Sequence, residues 1–173
     1  MKTERSDIEI RSAHPSEHTR IAELTRTAYA EYGQLMSPTG WSALAAAVES
    51  ALATDQPVDR IIALRNGELV GSVMLYNAGA DAYAGLTEKA GVPEVRMLAV
   101  SPSARGLGIG EQLVKECMRR ARDAGADQLG LHTSASMRAA IALYERMGFV
   151  RAPNFDFKPE GAELVTAYRF DLE

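Results

Sequence analysis

Val95-Arg96-Met97-Leu98-Ala99-Val100-Ser101-Pro102-Ser103-Ala104-Arg105-Gly106-Leu107-Gly108-Ile109-Gly110 is the stretch that decides how this chain is read. Its apolar first part forms a strand, Ser101-Pro102 ends that strand, and alternate glycines make a turn that feeds a helix. Glycine lets the backbone approach a ligand closely and take torsions that other residues resist. The free N–H groups at a helix start, together with the helix dipole, favour an anion, most naturally a phosphate. The dinucleotide fingerprint is not met, because Glu111 stands where its third glycine would fall, and the Gly-Lys-Ser/Thr of a P-loop is absent. Alone, the glycine string reads more readily as a helix entry without a ligand.

Beyond the turn, Ile109, Leu113, Val114, Cys117 and Ala121 keep helical spacing up to a stop near Gly125. Leu129 and Leu131 mark a strand, Met137 to Met147 a short helix closed by Gly148, Phe149-Val150 a sheet segment, and Leu164 to Phe170 the last strand. Before the turn, Asp7 to Arg11 alternates as a first strand. His14-Pro15-Ser16-Glu17 opens a helix carrying Ile21, Leu24, Ala28 and Tyr32, and Gly33 stops it. Ser37-Pro38-Thr39-Gly40 breaks the chain. A second helix follows with a stripe of Trp41, Leu44, Ala45, Val48 and Leu52, ended by Gln56-Pro57. Ile61, Ile62 and Leu64 form a strand that turns back at Asn66-Gly67 into Leu69–Tyr76. Asn77 to Gly91 reads as a loop and Glu94 to Val100 as a strand. The order is β-α-α-β-β-β-α-β-α-β-β, an α/β chain read as one domain over residues 1–173, without repeats or a dividing linker.

With 173 residues, 46% hydrophobic and 24% charged, the chain can build a core without disulfide or metal staples. A formal net charge of -4 makes nucleic acid and anionic membranes poor partners, since both need clustered cations. Arg119, Arg120 and Arg122 cluster late in a helix, where they suit its dipole and read as a solvated face. The lone Cys117 has no disulfide partner and suits a packed helix face. His14, His18 and His132 are scattered, so no metal site is expected. Met1 to Asp7 lacks an apolar signal core, and no apolar run approaches the ~20 residues of a membrane helix, which points to a soluble cytoplasmic protein.

Arg105-x-x-Gly108-x-Gly110, after Leu-Ala-Val and Ser-Pro, resembles the signature with which GNAT N-acetyltransferases hold the pyrophosphate of coenzyme A. The resemblance implies a single mixed, mostly antiparallel central sheet flanked by helices, and acetyl-CoA as co-substrate. It implies that the amides of Arg105, Gly106, Leu107, Gly108, Ile109 and Gly110 hold the pyrophosphate, and that backbone groups of Leu98 and Val100 meet the pantetheine arm. Ala140-Ile141-Ala142-Leu143-Tyr144-Glu145-Arg146-Met147-Gly148-Phe149 resembles the family's A-x-x-L-Y-x-x-x-G-F segment. Spacing alone makes Tyr144 a core aromatic; the resemblance makes it the general acid. Met137 stands where family members often have Asn, so that cofactor contact would be missing or fall to Ser134 or Ser136. Relatives are often homodimers, which leaves that assembly open.

An amine acceptor is mostly an ammonium at neutral pH and must lose a proton before it attacks a thioester. Glu94 resembles the family position for the base. By strict alternation, Glu94, Arg96, Leu98 and Val100 share one face. Arg96 is then expected to pair with Glu94, or otherwise to bind a carboxylate on the acceptor. The oxyanion would take an N–H near Leu98. His132 could help deprotonate the acceptor. Tyr29, Tyr32, Trp41 and Tyr83 fall on segments that border the acceptor cleft in relatives, although Trp41 reads as core. Asn154 to Pro159 forms a loop that could close over substrate, with Asp156 meeting a cationic amine. The expected activity is acetyl transfer to a primary amine of a small molecule, peptide or protein, by direct attack in a ternary complex. The rival is a catalytically silent coenzyme A-binding sensor; an unrelated nucleotide-binding protein would need a motif that is absent.

Overall fold

The computed structural model describes residues 7–83, 85, 87 and 91–173. The reading of the first six residues as a polar end, and of positions 84, 86 and 88–90 as loop, lies outside the described residues. Among the described residues, seven strands form one sheet: β1 (Ile8–Ser12), β2 (Val58–Arg65), β3 (Glu68–Tyr76), β4 (Glu94–Val100), β5 (Gln128–Ser134), β6 (Val150–Arg151) and β7 (Val165–Asp171). Four α-helices accompany them among the same residues: α1 (His18–Ala30), α2 (Pro38–Leu52), α3 (Ile109–Asp123) and α4 (Arg138–Met147). The strand order is β1-β2-β3-β4-β5-β7-β6, and only the β4–β5 pairing among these is parallel. The sheet is therefore mixed and mostly antiparallel, as expected.

Local chemistry sets the elements. Asn66 and Gly67 both take positive φ, 50° and 82°, which suits the tight β2–β3 hairpin. Ser37-Pro38-Thr39-Gly40 is a helix start rather than a break before one: the Gly40 N–H donates to the Ser37 hydroxyl, and Pro38 occupies the first turn. Helix α3 buries Ile109, Leu113, Val114, Cys117, Met118 and Ala121 along one face. Full burial of each large apolar side chain contributes about 1.5–3 kcal/mol. The helix docks against β3 at Gly71, where a Cβ would lie 2.9 Å from Ile109 and 3.0 Å from Leu113. Burial pushes the Cys117 thiol up to about 12, so it packs as a neutral group.

The two faces of the sheet carry different cores. On one, α3 and α4 cover Ile61, Val73, Leu75, Val95, Leu129 and Leu131. On the other, Val48 and Ala51 of α2 meet Met74, Tyr76 and Met97. Strand β4 changes its facing part-way, because a bulge shifts the β3–β4 register between Ser72 and Met74, with Met97 at φ 53°. Leu98 and Val100 consequently pack on the α3–α4 side with Val95. Strict alternation had placed Glu94, Arg96, Leu98 and Val100 on one face. The extra residue at the bulge overturns that, leaving Arg96 and Met97 on the wall of one cavity and Leu98 and Val100 on that of another.

Candidate active site

Strands β4 and β5 pair at only two positions, Glu94 with Gly130 and Val95 with Leu131. Beyond them the ladder stops and the strands part. On its other edge β4 stays bonded to β3, with the Ser101 N–H donating to the Val70 carbonyl. By alternation, the N–H groups of Leu98 and Val100 face the open edge. Two cavities lie along this split, and Tyr29 of α1 lines both.

The first cavity, roughly 310 Å³, runs from Leu98, Ala99 and Val100 to Arg105, Gly106, Gly108, Ile109 and Gly110, with Ala140 and Arg146 of α4 opposite. Gly108 caps α3 at φ 77°, a left-handed conformation that costs little only for glycine. The α3 amides thus open onto the cavity with the positive end of the helix dipole. The Arg105 side chain pairs with Glu31, also in the cavity wall, at 2.8 Å, tying the turn to the end of α1. Leu107 is exposed at the tip.

The second cavity, roughly 390 Å³, has a mostly apolar wall. Met36, Ala43, Leu44 and Ala47 come from the α2 side, and Met97, Met137 and Phe157 face them. Arg96, His132 and Glu163 bring charge or titratable groups to it. The Ser136 hydroxyl donates to Glu163, while the buried hydroxyls of Thr133 and Ser134, also in the wall, have no partner among the described residues.

Beneath this cavity Glu94 is 1% exposed. Its Oε2 accepts from the Tyr83 hydroxyl at 3.3 Å and lies 3.3 Å from His132 Nδ1. His132 Nε2 stands 2.9 Å from the Phe155 carbonyl, which can only accept, so Nε2 carries a proton. A hydrogen bond between Nδ1 and Oε2 then requires one further proton, shared by the pair. Burial and the Glu94 charge hold the Tyr83 phenol well above its ordinary range, so it stays a neutral donor.

Arg96 does not pair with Glu94. It donates to the Ala82 carbonyl and lies over the Tyr83 ring, 4.4 Å from the centroid. Asp156 is likewise not free for an amine. Arg151 grips it with two hydrogen bonds of 2.8 and 2.7 Å, the Ala167 N–H adds a third, and its pKa is lowered, chiefly by Arg151. The loop's contribution comes instead from Phe157 in the cavity wall and the Phe155 carbonyl on His132. Tyr144 packs against Phe149 at 5.7 Å between centroids and lines neither of these two cavities. Burial, with Tyr29 and Tyr32 nearby, holds its phenol far above the ordinary range and keeps it protonated. Tyr29 and Tyr32 form an edge-to-face pair at 5.6 Å beside the split.

The sequence model of the Acetyltransferase (GNAT) family matches residues 20–149, three quarters of the chain. The chain belongs to the GNAT acetyltransferase family. It is 34% identical over 96 residues to the mycothiol acetyltransferase of Cellulomonas flavigena, a match covering 55% of this chain and 27% of that protein. It therefore spans about a quarter of that relative's length. It is also 34% identical to the IAA acetyltransferase of Azospirillum brasilense, over 60% of this chain and 63% of that one. In fold it resembles an acetyltransferase of Salmonella typhimurium solved with acetyl-CoA, with a TM-score of 0.65, 18% identity, and coverage of 97% and 95% of the two chains.

In this GNAT chain the sequence reading did not reach three groups around Glu94. These are Arg169 of β7, Gly130, over which the Glu94 carboxylate and the Arg169 guanidinium meet, and the bond from the hydroxyl of Tyr83, which was expected only to border the acceptor cleft. The signal available for Gly130 was a glycine inside a strand pattern, which marks a close approach. Arg169 carried none, since an arginine in a terminal strand reads as solvated.

Proposed function

We propose that this GNAT protein moves an acetyl group from acetyl-CoA to a primary amine borne on a small, largely apolar body, by direct attack with both reactants bound. One observation carries this: a glycine-lined cavity at a helix N-terminus and an apolar cavity meet at the β4–β5 split, over a buried carboxylate–imidazole pair. The turn from Arg105 to Gly110 fits a pyrophosphate. Its glycines at 106 and 108 take positive φ, the α3 amides point into the cavity, and Arg146 adds a cation. The N–H groups of Leu98 and Val100, on the unpaired edge of β4, fit a pantetheine amide and the developing oxyanion. Bound acetyl-CoA supplies a thioester carbonyl open to attack.

The chain's own groups do the rest. His132 faces the acceptor cavity with Glu94 buried behind it, and Glu94 takes the proton from the incoming ammonium through His132 or through water. The protonated Tyr144 phenol, set behind the cavity walls beside Tyr29, which lines both cavities, is the group we assign to return one to the departing thiolate. The walls hold both reactants in place and lower the entropic barrier. A cavity of roughly 390 Å³ lies within the usual range for small-ligand sites, and its alanine and methionine walls favour an apolar acceptor.

The test is thiol release from acetyl-CoA with a panel of arylalkyl amines, polyamines, amino acids and N-terminal peptides, run beside Tyr144→Phe, with acetyl-CoA binding followed by calorimetry. Release with arylalkyl amines that falls in the variant supports the reading. Release with peptides alone replaces the acceptor class. Binding without any release favours a silent sensor, and absence of binding overturns the assignment of Arg105 to Gly110.

A further inference from the structure

Two buried polar atoms face each other over one glycine. Glu94 Oε1 and Arg169 Nε have no hydrogen-bond partner among the described residues, although Glu94 is 1% and Arg169 8% exposed. An unsatisfied buried group costs about 1–3 kcal/mol, and more when charged, so such atoms are rarely left without a role. They project from β4 and β7, the strands on either side of β5. Gly130 of β5 is the register partner of both residues. A Cβ at Gly130 would lie 2.5 Å from Glu94 Oε1 and 3.3 Å from Arg169 Nε. The missing side chain thus opens the space in which carboxylate and guanidinium approach. A cavity of roughly 10 Å³, about the room of one water, is lined by Glu94, His132 and Arg169. Arg169 is held from its other side by the Phe155 ring at 4.2 Å, and the carbonyl of that same residue fixes His132.

We infer that Arg169 is a positioning residue for the base: across the gap left by Gly130, its guanidinium holds Glu94 in the ionised, proton-accepting state. This rests on the reading of Glu94 as the base. The other groups around the pair do not supply that charge. Tyr83, from the segment before β4, is a neutral donor to Oε2. Arg96 of β4 is turned to Ala82 and the Tyr83 ring. Asp156, after β6, is paired with Arg151, and Asp81, which also lines the small cavity, accepts from the Gly85 N–H. Among the described residues Arg169 makes no ion pair, and it faces Glu94 across the Gly130 gap without direct contact, so its charge acts on the carboxylate through that gap. A cation beside a carboxylate favours its charged form. Loss of that cation raises the pH at which the Glu94–His132 pair takes up its shared proton.

The experiment follows the His132 ring by NMR as a function of pH, its signal distinguished from those of His14 and His18 by a His132→Gln reference. In Arg169→Met the midpoint moves up by about one pH unit, and Arg169→Lys recovers part of that shift. An unchanged midpoint in folded Arg169→Met overturns the inference. Should that variant not fold, the Nε–Hε signal of Arg169 in the unmodified protein decides. Titration together with His132 supports the coupling, and a flat response across that range overturns it. No acetyl transfer is read, so the outcome is independent of whether an amine is acetylated.

Discussion

Glu94 Oε2 and His132 Nδ1 stand 3.3 Å apart, on neighbouring strands that pair at only two positions before they separate. The pairing that ends there is what brings a β4 carboxylate under a β5 imidazole. With Nε2–H committed to Phe155, the pair exchanges one proton with its surroundings, and the proton-free state is the base.

Glu94→Gln removes that acceptor without changing the side chain's size. kcat/KM should fall by about 10²–10⁴-fold, the usual range for a general base, while the acetyl-CoA Kd is unchanged. Steady-state kinetics beside calorimetry check this. A loss confined to cofactor affinity would remove Glu94 from the chemistry.

Gly108→Ala tests the turn. No described residue lies within 4 Å of the added Cβ, so the penalty is torsional, about 1–2 kcal/mol for a left-handed residue at φ 77°. Urea unfolding should show that loss, and the acetyl-CoA Kd should rise about tenfold as the amides lose their alignment.

Ala43→Phe fills part of the apolar cavity from α2. The acceptor KM should rise at least about tenfold, by analogy with the 10–200-fold discrimination of apolar pockets, while acetyl-CoA affinity holds. An equal effect on both ligands would show that the cavities are not separate compartments.

Glu116 lies outside both cavities and contributes to stability in a pH-dependent way. Hydrogen bonds from Arg119, and then Arg120, lower its pKa to about 2. A depressed carboxylate stabilises the fold above its unfolded value near 4.5, and that contribution fades as the pH falls from there towards 2. Tm measured from pH 7 to pH 3 should separate the unmodified protein from Glu116→Gln at neutral pH, with the gap closing in acid.

The element order was legible because each signal was local. Gly108 and Gly148 cap helices, Asn66-Gly67 turns a hairpin, and the apolar spacing of α3 fixes its buried face. The turn from Arg105 to Gly110 and the A-x-x-L-Y segment were legible for the same reason, since a loop entering a helix is continuous in sequence. The facing of Leu98 and Val100 was not. A one-residue bulge at Met97 leaves no mark in an apolar run, and it reverses everything after it.

The partners of charged residues were also beyond the sequence. Arg96 and Glu94, two apart on one strand, invited a pairing. Folding instead brings the Ala82 carbonyl and Tyr83 ring to Arg96, and His132 from 38 residues away to Glu94. Asp156 was spent on Arg151 in the same way. Sequence by itself determined the strands, the helices and the phosphate-type turn, because torsional preference and apolar periodicity act over a few residues. Only the tertiary structure decided which side chains share a buried site. Contacts between β4, β5 and β7 are set by register, and the bare Cα of Gly130 matters only once Glu94 and Arg169 have been brought to it.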